Sequence, residues 1–586
     1  MNDTVDSVTL AVVQGALQAA QRGMTTTMEQ TGRSSVYAIA RDYSNALFDW
    51  DARMIVQGED IPTHLGSMVL ATKSIAEYFE GEIYEGDVYL HNDPTYDGSH
   101  LPDICMYKPV FFERELVFWV VSKGHMIDVG GPVPGSYNSN ATEIFAEGLR
   151  IPPIKLIDRG EMRRDIMNMI LTNFRSRKFQ RGDMNAQLGA ISLGERRLRE
   201  LVQRYGKDVV KVCVERLLDL AEAHMREKIS ALPDGVYEST VIAEDTGHGR
   251  GDQTLHAEIT IAADEIRIRL DSPPQLDYYT NSYRSNTLSG VYAGLMMFAQ
   301  VQPPFNEGLY RPVKVDFGPR GTMLNATEPA PHVNCTGGPQ ETICDLIRTG
   351  LIKADARHAI AGWNHTWAFN ITGERPDTGE PYLDLVISSL IGGAGAVSGV
   401  EDGWHAIGAQ AGLGGAQIGD TEIVETLAPI IVNRLELAED SAMPGEWRGG
   451  CGLITEIEPL DHEMTVIAWG EGAHHPPPSV GAAVAHRDFM DKKVARAWHL
   501  RGDEVLREIT QNEIIKIGPG ERYRSQTSGG GGAGDPYERP AETVAEDVLN
   551  RKVSAQAAVL DYGVDIDPET LVVDEAGTER LRNTRT

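Results

Sequence analysis

The sequence predicts a mixed α/β protein built from several parts, and three observations carry that reading. Stretches with helical spacing of apolar residues occur beside stretches that alternate every second residue. The helical pattern dominates early and the strand pattern later, with glycine and proline turn signals marking the changes. With 41% hydrophobic residues in a chain of 586, there is enough apolar surface for about three or four domains or one large interleaved unit. We expect an N-terminal α/β region (1–230), a β-rich middle (231–330), a glycine-rich α/β part (331–430), a second β-rich part (431–540) and a helical tail (541–586).

Val8, Val12, Ala16, Ala19 and Ala20 recur at nearly helical spacing, so a helix runs from Val8 to Met28 despite Gly15. SVYAIARDYSNALFDWDARMIV falls into short apolar runs around Asp49 and Asp51, the pattern of a hairpin, and that hairpin carries Asp42. A helix from about Gly66 to Phe79 precedes two strands, DVYLHN and ELVFWVVSKGHMIDV, with GSHLPD in the loop between them. Ile166 to Ile229 is charged and helical, with Arg196, Arg197, Arg199 and Glu200 on solvated faces. After the turn at Leu232 to Gly235, HAEITIAADEIRIRL alternates as a half-buried antiparallel strand does. Leu288 to Val301 and Glu341 to Ala356 read as helices. IIVNRLELAED, LITEIEPL and MTVIAWG read as strands, and the β-rich part closes on the glycine run Ser528 to Gly534.

Charge narrows the partners. With 54 basic against 85 acidic residues the net charge is -31, which repels phosphate backbones and anionic lipid, so neither nucleic acid nor a membrane is an expected partner. The five cysteines (Cys105, Cys213, Cys335, Cys344, Cys451) form no C-x-x-C pair, and an odd number cannot close completely into disulfides, which suits a reducing cytoplasm. MNDTVDSVTL has no basic stretch followed by an apolar run, and nothing approaches the ~20 apolar residues of a membrane span.

His100 and Asp103 lie three residues apart in a loop with turn chemistry at Asp97-Gly98 and Pro102. His125 ends a strand and faces that loop, and with Asp42 these four side chains make a plausible mixed nitrogen and oxygen site for Zn²⁺, Mn²⁺ or Fe²⁺. Spacing alone leaves the other reading open, in which they are polar groups pinning a turn. The runs IGGAGAVSG and SGGGGAGDP offer backbone N–H groups to a phosphate, but neither continues into a nucleotide-binding signature, and tight turns or close backbone packing explain them as well. No G-x-S-x-G surrounds a serine, Cys105 and Cys335 carry no nucleophile signature, and His474-His475 reads as an exposed loop.

The ordered succession RDYSNALFD, IPTHLGSM, NDPTYDGSHLPD, SKGHMIDVGGPVPGS, EGLRIPPIKL, GDMNAQLGA, EGLYRPVKV, IGGAGAVSGVEDG, RGGCGL and GGGGAGDP resembles the hydantoinase B/oxoprolinase family from about Val8 to Gly563. The resemblance implies a B-type subunit with a divalent metal, Zn or Mn, held by Asp42, His100, Asp103 and His125. It implies an A-type partner that uses ATP and Mg, in a hetero-oligomer expected to be α2β2, and an enzyme active only with that partner. The implied activity is ATP-dependent opening of a cyclic amide (a hydantoin, 5-oxoproline or a lactam). A ketone carboxylase of the acetone or acetophenone type, and a non-catalytic assembly subunit, stand as alternatives. His64, Asp93 and Asp128 flank the ligand segments and are the expected proton-transfer residues. The chain departs from the family pattern at Met126, where relatives often place a second histidine, and after GVEDGWHAIGAQAGLGG, where a His-Met-Thr-Asn type segment is missing.

Overall fold

The computed structural model describes residues 5–58, 61, 64–300, 305–357, 359–412 and 414–584, and it is mixed α/β as expected. Pro62 and Thr63 of IPTHLGSM and Val301 of the expected Leu288 to Val301 helix lie outside the described residues. Two compact units result: residues 1–241 with 254–354, and residues 242–253 with 355–586. Among the described residues no helix is long and apolar enough to cross a membrane.

The first unit opens with helix α1 (Ser7–Thr31), capped by Asp6, whose carboxylate accepts the N–H groups of Val8 and Thr9 at 2.9 Å each. Leu10, Val13, Leu17, Ala20, Met24 and Met28 form its buried stripe. Strands β1 (Tyr43–Asp49), β2 (Met54–Gln57), β3 (Val88–His91), β4 (Asp103–Phe112), β5 (Glu115–His125), β6 (Ile154–Asp158) and β7 (Glu161–Met162) make one sheet in the order β2-β1-β5-β4-β3-β6-β7, antiparallel throughout. Helices follow at α2 (Leu65–Tyr78), α3 (Arg164–Asn173), α4 (Arg177–Tyr205) and α5 (Lys207–Ser230).

The strand alternation of β5 shows what covers each face. Ser122 Oγ reaches Met28 of α1, and Gln187 of α4 donates to the carbonyls of Ile104 and Ser122, at 3.0 and 3.2 Å. Lys123 points the other way, to Ser67 of α2 at 3.0 Å.

Two local expectations are corrected. Val36–Ala40 is a π-helical turn, not strand, and it ends on Arg41 at a left-handed φ of 56°, so the chain turns sharply into Asp42 and β1. The loop expected after GSHLPD is in fact the central strand β4. Pro109 speaks against a strand in the sequence, but β3 pairs only with Cys105, Met106 and Tyr107, so Pro109 lies past the end of β3, where that side needs no donor.

The remaining strands of this unit, β8 (Gly235–Ala243), β9 (Gln253–Ala262), β10 (Glu265–Asp271) and β11 (Val313–Asp316), form a second sheet ordered β11-β10-β9-β8. Helices α6 (Arg284–Ala299) and α7 (Pro339–Ile352) complete it. Of the expected middle region, residues 231–241 and 254–330 fall in the first unit and 242–253 in the second. Arg226 of α5 pairs with Asp264 at 3.1 Å, and Arg311 pairs with Asp219 and Glu222 at 2.8 and 3.1 Å.

The second unit holds β12 (Trp367–Glu374), β13 (Pro381–Leu385), β14 (Ile391–Gly392), β15 (Ile407–Gly408), α8 (Thr421–Leu427), β16 (Ile430–Leu437), β17 (Leu453–Pro459), β18 (Met464–Gly470), β19 (Arg496–Arg501), β20 (Glu504–Ile509), β21 (Glu513–Ile517) and β22 (Glu521–Gln526). Its larger sheets, β13-β12-β18-β21 and β16-β17-β22-β19-β20, share one core in which Phe369, Val466, Ile457 and Tyr523 meet. The helical tail forms α9 (Ala541–Leu549), α10 (Ala555–Tyr562) and α11 (Glu575–Asn583), and Asp547 of α9 is held by Arg448 at 3.1 Å and Arg539 at 2.8 Å.

The glycine runs are explained here, and not as phosphate cradles. A Cβ on Gly393 would stand 2.0 Å from the Gly450 carbonyl oxygen, and one on Gly530 would stand 1.8 Å from that of Ala394. Backbone crosses directly over backbone, and only glycine leaves room. Gly530→Ala therefore costs about 3 kcal/mol of stability, read as a lowered urea midpoint; an unchanged midpoint contradicts so tight a crossing.

Candidate metal centre

Three neighbouring strands end at one edge of the first sheet, and each end carries a candidate ligand. Asp103 opens β4 directly opposite His125, the last residue of β5. Asp42 stands just before β1, and its carbonyl accepts the His125 N–H at 3.0 Å. A turn brings in the fourth residue: the Asp103 N–H donates to the His100 carbonyl at 3.0 Å, which folds the His100 ring back over the strand end.

The inner three side chains converge. His100 Nε2 lies 2.9 Å from Asp103 Oδ1 and 3.0 Å from His125 Nδ1, and His125 Nδ1 lies 3.1 Å from the same Asp103 oxygen. His100 Nδ1 is 2.8 Å from the Val333 carbonyl, which can only accept, so the ring hydrogen sits on Nδ1 and Nε2 turns a lone pair inward. Asp103 Oδ2 accepts from Ser99 Oγ at 2.5 Å and from Lys123 Nζ at 2.9 Å, which leaves Oδ1 to face the histidines.

Asp42 and His64 form an outer arc. Asp42 lies 3.9 Å from His125 Nδ1 and 3.8 Å from His64 Nε2, and His64 Nε2 lies 3.8 Å from Asp103 Oδ2. Ser44 Oγ gives its hydrogen to the Ile61 carbonyl at 3.0 Å, so at its 2.9 Å contact with His64 it accepts from Nδ1. The His64 hydrogen is then on Nδ1, and its Nε2 lone pair faces two carboxylates. Asp42 keeps 28% of its side chain exposed against 7% or less for His64, His100, Asp103 and His125, so the site opens on the Asp42 side.

This donor set fits a divalent ion. His100, Asp103 and His125 are grouped with their ligating atoms within 4.8 Å of one another. Donors ~2.1 Å from one ion stand roughly 3.0 to 3.4 Å apart at octahedral and tetrahedral angles, close to the spacings found here. Protonation points the same way. Burial raises the Asp103 carboxyl, but the charges of His100 and Lys123 overcome it and hold that carboxyl well below the usual range. Asp42 is raised from its ordinary value by burial, against His125 and with the help of Asp103. Burial lowers the His125 imidazole, yet the Asp103 hydrogen bond and the charge of Asp42 raise it above its ordinary value. Asp103, held ionised, is the anionic member of the set. Burial and then the Lys123 ammonium push His64 well below the usual imidazole value, which leaves it neutral.

Of the expected proton-transfer residues, only His64 lies beside the cluster. Asp93 caps a 3-10 turn, accepting from Thr95 N–H at 2.9 Å and from Arg150 at 2.9 Å. Asp128 accepts from the N–H groups of Gly130 and Gly135 at 3.1 Å each and from Arg175 at 2.7 Å. Both carboxylates shape their loops through these bonds.

Two participants went unread in the sequence. Lys123 is 1% exposed and donates to Asp103, to Ser99 Oγ at 2.7 Å and to Ser67 Oγ at 3.0 Å, so all three N–H bonds are used. Its position two residues before His125 was the available signal, because strand alternation puts both on one face. The Tyr137 ring stacks 6.3 Å from His125 and stands 6.2 Å from His100, edge-on; no sequence spacing points to it.

Comparison with known proteins agrees with this architecture. The family model for hydantoinase B/oxoprolinase matches residues 6–536. The caprolactamase subunit beta of Pseudomonas jessenii is 51% identical over 581 residues, spanning 99% of each chain. The crystal structure of the ATP-dependent caprolactamase from Pseudomonas jessenii superposes with a TM-score of 0.94 at 48% identity, covering 99% of this chain and 100% of that one. A nucleotide-free acetone carboxylase structure shares the fold alone, with a TM-score of 0.86 at 19% identity over 99% of this chain and 82% of that one.

Removing the Lys123 ammonium leaves Asp103 a buried charge without its cation. Lys123→Met is expected to lower the stability of the metal-free protein by about 3 kcal/mol, seen in urea unfolding, and a midpoint equal to wild type contradicts the role given to Lys123.

Proposed function

The chain belongs to the hydantoinase B/oxoprolinase family, and on that premise we propose that it is the metal-binding B-type subunit of an ATP-dependent cyclic-amide hydrolase, with lactams as the favoured substrates. The observation that carries the proposal is the convergence of His100, Asp103 and His125 at adjacent strand ends. Similarity to a caprolactamase beta subunit along nearly all of both chains supports lactams among the cyclic amides. Five free, buried cysteines suit a reducing cytoplasm.

An unstrained amide resists water because attack must break its resonance. In the proposed division of labour an A-type partner uses ATP and Mg to phosphorylate the amide oxygen, and the activated ring reaches this chain. Asp42, His100, Asp103 and His125 would hold the divalent ion, Zn or Mn, which when bound supplies Lewis-acid polarisation and makes water acidic enough to deprotonate near neutral pH. His64 is the proton acceptor: it is neutral, and its Nε2 lone pair lies 3.8 Å from the carboxylates of Asp42 and Asp103. The same nitrogen returns the proton to the ring nitrogen as it leaves, and a second water releases phosphate from the acyl phosphate so formed. Lys123 holds Asp103 in place meanwhile, and the Val333 carbonyl holds His100.

The test is the chain copurified with its A-type partner. ADP release should depend on a lactam and not on bicarbonate, and elemental analysis should find about one divalent ion per chain. Bicarbonate-dependent turnover of a ketone would replace this reading with a carboxylase. His100→Ala and His125→Ala should lose the metal and lower ring opening about 1,000-fold; full activity in both would leave only an assembly role. His64→Gln should keep the metal and lower kcat about 100-fold, and an unchanged kcat rules His64 out as the proton acceptor.

A further inference from the structure

Glu147 opens the EGLRIPPIKL segment, which the ligand set leaves without a role, and its side chain is fully buried against His332, equally buried. Glu147 Oε1 accepts the N–H groups of His332 and Val333 at 2.7 and 2.8 Å, and Oε2 lies 3.1 Å from His332 Nδ1. His332 Nε2 lies 2.9 Å from the Ser99 carbonyl, an acceptor, so that nitrogen carries a hydrogen. The carbonyl of Val333, whose N–H Glu147 holds, is the acceptor for His100 Nδ1 at 2.8 Å. One carboxylate thus governs two contacts to the His100 segment, at the ring and at the preceding residue.

We infer that Glu147 is a positioning residue that fixes the tautomer of His100, and with it the Nε2 lone pair open to a cation; the inference rests on the metal reading above. A neutral imidazole carries its one hydrogen on either nitrogen. The Val333 carbonyl stabilises it on Nδ1, and if that carbonyl moves away, the hydrogen is free to shift to Nε2 and cover the lone pair. Glu147 keeps the carbonyl in place by anchoring two successive N–H groups with one oxygen. His332 adds the second anchor by tying Ser99 to the same carboxylate.

Glu147→Leu removes every acceptor at nearly the same bulk, whereas Glu147→Gln keeps an oxygen for both N–H groups. His332→Asn keeps the backbone N–H bond to Glu147 but loses the Ser99 contact. The full chain, copurified with its partner, is stripped of metal and titrated with Co²⁺, whose visible absorption reports ligand geometry as well as occupancy. Glu147→Leu should weaken Co²⁺ binding 10- to 100-fold, within the range seen when partners of metal ligands are removed, and shift the Co²⁺ bands. Glu147→Gln should restore wild-type bands, and His332→Asn should give a smaller weakening with a band shift. Wild-type affinity and bands in Glu147→Leu overturn the inference. Should Glu147→Leu not fold, wild-type bands in His332→Asn overturn it instead. Wild-type protein that takes up no Co²⁺ overturns the metal reading, and this inference with it.

Discussion

The pairing of β4 with β5 is the constraint on which the rest depends. In that register Asp103 faces His125 across the ladder, and the β1 pairing brings Asp42 to the same edge. Side chains alternate with a period of two, so a slip of one residue would send His125 and Lys123 to the face covered by α1 and α4. The register is held by apolar burial on both faces, with Val117, Phe118, Trp119, Val120 and Val121 all nearly inaccessible. Hydrophobic packing of an ordinary kind thereby sets which polar groups meet at the strand ends.

The centre divides into groups that are saturated and groups that are not. Lys123, Ser99 and the outer oxygen of Asp103 satisfy one another, and the Glu147 carboxylate is filled by His332 and Val333. The inward nitrogen lone pairs of His100 and His64 face the carboxylates of Asp103 and Asp42. Lys123 supplies positive charge to the buried Asp103 carboxylate from outside the cluster.

How much was legible in the sequence followed from how local each signal was. The helix at Val8 to Met28 and the strand ending at His125 declare themselves by periodicity, and their ends came out within a few residues. The strand β4 hid behind Pro109, because nothing in the sequence shows that its neighbour stops short of that residue. The turn before Asp42 has the apolar composition of a strand, and only the left-handed Arg41 makes it bend. His100, Asp103 and His125, singled out in the sequence, are brought together by the fold with Asp42 3.9 Å from His125, whereas Asp93 and Asp128, equally close in sequence, shape loops. Glu147 and His332 were invisible for a plainer reason: 185 residues separate them, and only the fold brings them together.

All five cysteines are free and buried. The surface of the chain is therefore silent to thiol reagents, and a single cysteine introduced on it becomes a unique attachment point for a spin label or fluorophore. Paired with a label on another protein, such a point turns assembly into a measurable distance without any native thiol being removed.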